Sequence, residues 1–200
     1  FYSYAEDPLV GGDINVTSSY VWRGIEVNDE AVFWPDLWVT FGDFTITAWA
    51  NMDLTNVNGD GGMINEFNLS LDYERTIGTW DLGVGYVQYV FPTLVSDATG
   101  EAYFCFGKSI GFFSFSLFTA YDIWLANGLY TKPSVAVDFE AGQFEWGAAV
   151  DLGIGGANHN DYYFGEDKGG LTDLTTTAYG IFYFPGDLGE HFSIGTDIGF

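Results

Sequence analysis

Carboxylates recur on alternate residues of this chain, among neutral oxygen-bearing side chains and few cations. In "EFNLSLDYE", Glu66, Asn68, Ser70, Asp72 and Glu74 share one parity, and Phe67, Leu69, Leu71 and Tyr73 share the other. A spacing of two places each set on one face of an extended strand. The same pattern assigns Asp36, Asp53, Asp81, Glu101, Asp122, Asp138, Glu140, Glu145, Asp151 and Asp173 to the polar face, with Arg23 and Lys132 as its few cations. Such a surface can do one of two things. Acidic rings around a narrow passage attract cations and repel anions. Alternatively, the charges pair into a hydrogen-bonded filling. Arg23 reads first as a brace, forking to Asp36 or Asp53.

Other chemistry is weaker. The loop "NVNGDGG" sets Asn56, Asn58 and Asp60 among glycines, oxygen ligands of the kind calcium takes. It lacks the EF-hand's terminal Glu, so a solvated turn is the first reading and a loop-bound divalent cation the second. The loop "NHNDYYFGEDKGG" carries His159, Asp161, Glu166 and Asp167 and reads as an acidic surface loop. The only two histidines, His159 and His191, fall in a long and a short connection, at opposite ends of the strands. They cannot share a serine-type site. Asp72 and Glu74 could exchange protons, but facing carboxylates need no catalytic explanation. Phosphate-cradling glycine loops and paired cysteines are absent. The expectation is a non-enzyme with no resident cofactor.

The bulk composition limits the partners. With 28 Asp plus Glu against 5 Lys plus Arg, the formal charge of -23 argues against nucleic acid. An aromatic share of 20% argues against disorder. No apolar run of about 18 residues predicts a membrane helix. Two hundred residues fit one domain, 1–200. Residues 1–10 form an N-terminal segment in which Ser3-Tyr4-Ala5 resembles the end of a signal peptide. The lone Cys105, between Phe104 and Phe106, reads as a small packed side chain.

The elements that must position these groups are strands. Eleven runs stand out, at roughly 13–23, 32–41, 44–54, 66–76, 80–91, 101–108, 112–123, 130–140, 144–154, 173–184 and 190–200. Helix should be scarce. The connections alternate between long and short, so long loops gather at one end of an antiparallel up-and-down meander. Bacterial outer-membrane barrels share that asymmetry, and runs near ten residues suffice to cross a bilayer. Aromatics near strand ends, among them Tyr20, Trp22, Trp34, Trp80, Tyr89, Tyr121, Trp124 and Tyr130, suit interfacial girdles. The expectation is an all-β transmembrane barrel in which Trp80, Leu82, Val84 and Tyr86 face lipid and Asp81 and Gly83 face the lumen. Bacterial barrels have even strand counts, so a closing strand is expected beyond residue 200. The ending "HFSIGTDIGF" argues the other way, since it is similar to a terminal barrel strand.

At "SSYVWRGIEVND", residues 18–29, the chain resembles TorF-type porins and related bacterial outer-membrane β-barrels. Further similar points are "WANMDL", "NEFNLSLDYE", "LGVGYVQYVFP", "EAYFCFG" and "FTAYDIWLANGLY". The resemblance implies a barrel of about twelve strands in the outer membrane. It implies no substrate, because that family is named for its architecture. The functional expectation is a narrow porin or channel with an acidic, cation-preferring lumen. The alternative is a structural or interaction barrel plugged by side chains. An outer-membrane enzyme and a soluble ligand-binding barrel are more distant readings. Expected partners are the lipid bilayer, lipopolysaccharide, small solutes or cations, and other copies of the chain in a homo-oligomer.

Overall fold

The structure is a computed structural model that describes residues 8–57, 59, 61–93, 96–186 and 193–199. Along the chain run β1 (Leu9–Thr17), β2 (Tyr20–Trp22), β3 (Ile25–Asn28), β4 (Val32–Phe41), β5 (Phe44–Asp53), β6 (Ile64–Ile77) and β7 (Trp80–Val90). They are followed by β8 (Thr99–Ile110), β9 (Phe113–Asp122), β10 (Leu129–Ala141), β11 (Phe144–Gly155), helix α1 (Ala157–Phe164), β12 (Gly170–Tyr183) and β13 (Ser193–Gly199). Eleven strands form one antiparallel sheet in chain order, while β2 and β3 pair separately as a small hairpin.

Each of the eleven expected runs corresponds to a strand of this sheet. The first is corrected. Its strand begins at Leu9 and ends at Thr17, and Tyr20–Trp22 leaves the sheet to build the hairpin. Arg23 and Gly24 link β2 to β3, both with positive φ (49° and 80°). That is the geometry of a two-residue hairpin turn whose twist suits the strands it joins.

One end of the sheet is closed by tight turns. Gly42-Asp43, Gly78-Thr79, Gly111-Phe112 and Gly142-Gln143 each join neighbouring strands, with a positive φ at the glycine of each pair. A glycine at the first central position is the signature of the tightest hairpin connections. The long connections, including the hairpin and α1, lie at the other end.

Register carries face identity across the whole sheet. Ile46 sits opposite Leu71, Leu71 opposite Tyr86, Val84 opposite Phe104, and Val135 opposite both Phe115 and Val150. One face is therefore apolar from strand to strand, and it is exposed: Leu71 is 50% accessible and Val84 49%. The opposite face holds most of the buried groups, and many of these are polar or charged. Asn51, Asp53, Glu66, Glu101 and Asp122 are buried. A water-soluble domain has the reverse arrangement.

The sheet also curls. The hairpin touches Trp34 on β4, Glu66 on β6, Glu101 on β8 and Tyr130 on β10, and Gly24 approaches Asp173 on β12. At about 4.8 Å per strand, β4 and β12 would stand about 38 Å apart in a flat sheet. One small hairpin reaches both only because the polar face is wrapped around it. The edge strands β1 and β13 each have a single neighbour among the described residues. Because antiparallel pairing alternates direction through eleven strands, the two edges run the same way.

Candidate functional site

The hairpin is anchored within the polar face by one cation. Arg23 Nη1 and Nη2 donate to Glu101 Oε1 and Oε2 at 2.7 and 2.8 Å. Both side chains are almost fully buried, 8% and 3% exposed. The guanidinium lies 4.1 Å from the Tyr130 ring centre and 4.4 Å from that of Trp22. Tyr89 adds a hydroxyl to Glu101 at 2.9 Å. Burial alone lowers a guanidinium's proton affinity, but the bonds to Glu101 outweigh it and push the Arg23 pKa upward. Arg23 thus forks to a carboxylate as expected, but to Glu101 instead of Asp36 or Asp53. The reason is the hairpin: it carries Arg23 out of line with β4 and β5 and across to β8.

The remaining predicted residues lie on the polar face, where most accept from neutral donors. Glu66 accepts from the Tyr20 hydroxyl at 3.1 Å and from Asn68 Nδ2 at 2.8 Å. Asn51, itself taking the Trp34 indole N–H at 2.7 Å, donates to Asp53 at 3.1 Å. Asp72 accepts from Ser70 at 2.9 Å and from the Tyr103 hydroxyl. Asp138 takes the Tyr179 hydroxyl at 2.6 Å, and Glu145 takes that of Tyr183 at 2.9 Å. Asp173 accepts from Tyr130 at 3.2 Å and from Thr172 at 2.7 Å. Lys132 stands 3.8 Å from Asp151, a loose pair.

Two acids serve the fold directly. Asp122 Oδ1 accepts the backbone amides of Trp124, Leu125 and Ala126 at 3.0, 2.8 and 3.1 Å, closing the loop after β9. Asp36 accepts the amide of Asp13 at 2.9 Å. Towards the short turns the face opens. Asp81 takes Thr76 Oγ1 at 2.7 Å, and Glu140 stands in register with Glu145, exposed. Here a cavity of 560 Å³ is lined by Glu74, Asp81, Cys105, Ser109, Ser114 and others. Cys105 is half-buried on the polar face, opposite Gly83.

The loop candidates separate. Asn56 spends its side-chain oxygen on the Gly61 amide at 3.2 Å, as a turn-closing residue does. Asn58 and Asp60 lie outside the described residues, as does His191. No group of three or more His, Cys, Asp or Glu suited to a metal occurs among the described residues. His159 corrects an expectation. Its segment is no plain surface loop but α1, and the imidazole is fully buried. It stacks on Tyr130 at 5.4 Å and packs tilted against Tyr163 at 4.8 Å, with Nδ1 3.2 Å from Asn160 Oδ1. Burial pushes its pKa below the usual histidine value.

The aromatic positions are also corrected. Trp80, Tyr121 and Trp124 are exposed on the outside, as girdle residues would be. Tyr20 and Trp22 instead belong to the hairpin, and Trp34, Tyr89 and Tyr130 pack around it on the polar face. The hairpin itself was the missed element. Its signal in the sequence is Gly24, set between "YVW" and "IEVN" at two-residue turn spacing. The chain matches no protein-family model, curated protein or solved structure.

Proposed function

We propose that the protein is a transmembrane β-barrel of the bacterial outer membrane, of the TorF-type porin kind, and acts as a narrow channel that prefers cations. The observation that supports this reading is the inverted polarity of the sheet. An exposed apolar face continuous across eleven strands suits hydrocarbon, and a wrapped polar face suits a lumen. The lumen is acidic, and its carboxylates are met mostly by hydroxyls and amides, so their charge is solvated without being cancelled. Such a lining favours cations and disfavours anions. The hairpin, held by its Arg23–Glu101 brace, occupies the polar face at the long-loop end and acts as the constriction, while the 560 Å³ cavity lies at the short-turn end.

The reading carries a requirement. Unpaired strand edges are not tolerated in hydrocarbon, so β1 and β13 must be paired in the membrane, directly or through an intervening strand. A closed barrel then resists detergent at room temperature and migrates faster before boiling than after.

Reconstitution in planar bilayers tests conduction. Current steps whose reversal potential follows the cation gradient support the channel, and anion preference overturns it. The same hairpin favours a second reading, a structural barrel plugged at its mouth. That reading holds if neither the native protein nor a variant with the Arg23–Glu101 brace removed conducts.

A further inference from the structure

Between the hairpin and the inner wall lies a second, partly open cavity of 480 Å³. The rings of Tyr20, Trp22, Tyr89, Phe91 and Tyr163 and the aliphatic side chains of Ile25 and Val27 form most of its lining. Its polar groups are few: Asn65, Glu66 and Thr99. Pockets for small molecules have this size and this balance, about 300–1,000 Å³ with a few convergent polar groups on an apolar wall.

Glu66 is the feature that selects the ligand. It is 7% exposed and has no ion-pair partner among the described residues. Its bonds come from a phenol and an amide, both neutral. Asn68, which donates to Glu66, leaves its own Oδ1 buried without a donor. Glu101 stands nearby but is balanced by Arg23, so the Glu66 charge remains uncompensated. The Tyr20 and Tyr89 hydroxyls both donate to carboxylates, which enriches their rings in electron density and makes them better faces for a cation.

We propose that this cavity binds a small organic ammonium ion, with its charge held by Glu66 and its alkyl groups against the aromatic rings. A hard metal ion needs six or so oxygens around it, and this wall is mostly carbon. An anion meets Glu66 directly. A neutral apolar molecule leaves the buried carboxylate unmatched. The proposal does not rest on conduction, since the cavity is formed by the hairpin, β6, β7, β8 and α1 whether or not ions pass.

The test uses the whole chain purified in a maltoside detergent, which carries no ammonium group. Choline is titrated while tryptophan fluorescence is recorded, with Trp22 in the wall as reporter. The uncharged isostere 3,3-dimethyl-1-butanol and sodium chloride of matched ionic strength are run in parallel. Saturable binding is expected for choline, about tenfold weaker for the alcohol, and no saturable change for sodium. Glu66→Gln keeps the shape and weakens choline binding about tenfold, and Tyr163→Leu weakens it as well. Equal binding of choline and alcohol, no saturable response to choline, or unchanged choline binding by folded Glu66→Gln overturns the proposal. If Glu66→Gln fails to fold, Tyr163→Leu decides. Silence of both the native protein and the variant without the Arg23–Glu101 brace in planar bilayers, together with choline binding, overturns the channel and leaves this site standing.

Discussion

Arg23 and Glu101 are 78 residues apart in the chain and meet through two parallel bonds of 2.7 and 2.8 Å inside the wrapped sheet. The contact holds Arg23 in a left-handed backbone conformation, φ 49°, that costs a non-glycine residue about 1–2 kcal/mol. The bidentate bond offsets that cost and fixes the hairpin against β8.

Removing one partner leaves the other charge buried. Arg23→Ala should weaken hairpin docking by about 3–5 kcal/mol, whereas the double replacement Arg23→Leu/Glu101→Leu should cost much less. Limited proteolysis at the hairpin reports the docking. In bilayers Arg23→Ala should pass larger currents than the native protein. An unchanged current and an unchanged cleavage rate would remove the hairpin from the role of constriction.

Cys105 is the only thiol in the chain and lines the cavity at the short-turn end. If that cavity opens an acidic lumen, a cationic methanethiosulfonate should label it faster than an anionic one of similar size. The ratio should fall as salt rises, because screening shortens the reach of the carboxylates. Equal rates at low salt would contradict an acidic lumen.

The buried His159 gives a pH dependence of defined sign. Its folded pKa lies below the unfolded value of about 6.5, so the unfolded chain binds the extra proton first. The contribution is complete above pH 6.5 and is lost as pH falls through the folded value. Protease resistance of the α1 segment should therefore drop between neutral and mildly acidic pH. His159→Phe, which keeps the ring contacts with Tyr130 and Tyr163, should flatten that profile.

Leu71 separates a membrane-embedded sheet from a soluble one. It sits mid-strand on the exposed apolar face, between Ile46 and Tyr86. Leu71→Arg should destabilise the protein folded in vesicles by about 2–4 kcal/mol. On a water-facing surface the same change should be near neutral. Denaturant titration in lipid vesicles measures the difference.

A side chain at Gly128 would drive its Cβ into the His159 backbone nitrogen and to 2.7 Å from its Cα. Backbone atoms cannot swing aside as a side-chain tip can. Gly128→Ala should therefore lift α1 from the mouth at a cost of about 1–3 kcal/mol, read as faster cleavage of that segment with the strands intact.

The strands were legible because their cause is local. Alternating polarity over about ten residues fixes an extended conformation and sorts the two faces, and Gly-x pairs at two-residue spacing fix the tight turns. Ser70, Asp72 and Glu74 could thus be placed on the face opposite Leu69 and Leu71 from order alone. The buried role of the loops was not legible. "YVWRGIEVN" shows a turn between two short alternating runs and "ANHNDYYF" looks polar, but neither announces that Arg23 and His159 are covered.

The sequence by itself determined the number of sheet strands, their faces, and the division into long and short connections. Each of these follows from the period of two and from turn residues acting on their neighbours. Only the tertiary structure decided that Arg23 meets Glu101 instead of Asp36 or Asp53. It also decided that five aromatics expected outside gather within, and that Glu66 has no cation partner among the described residues. Those outcomes depend on the curl of the sheet, which brings β4, β8, β10 and β12 around one hairpin. Curvature is a sum of small twists over eleven strands, and no short stretch of sequence contains it.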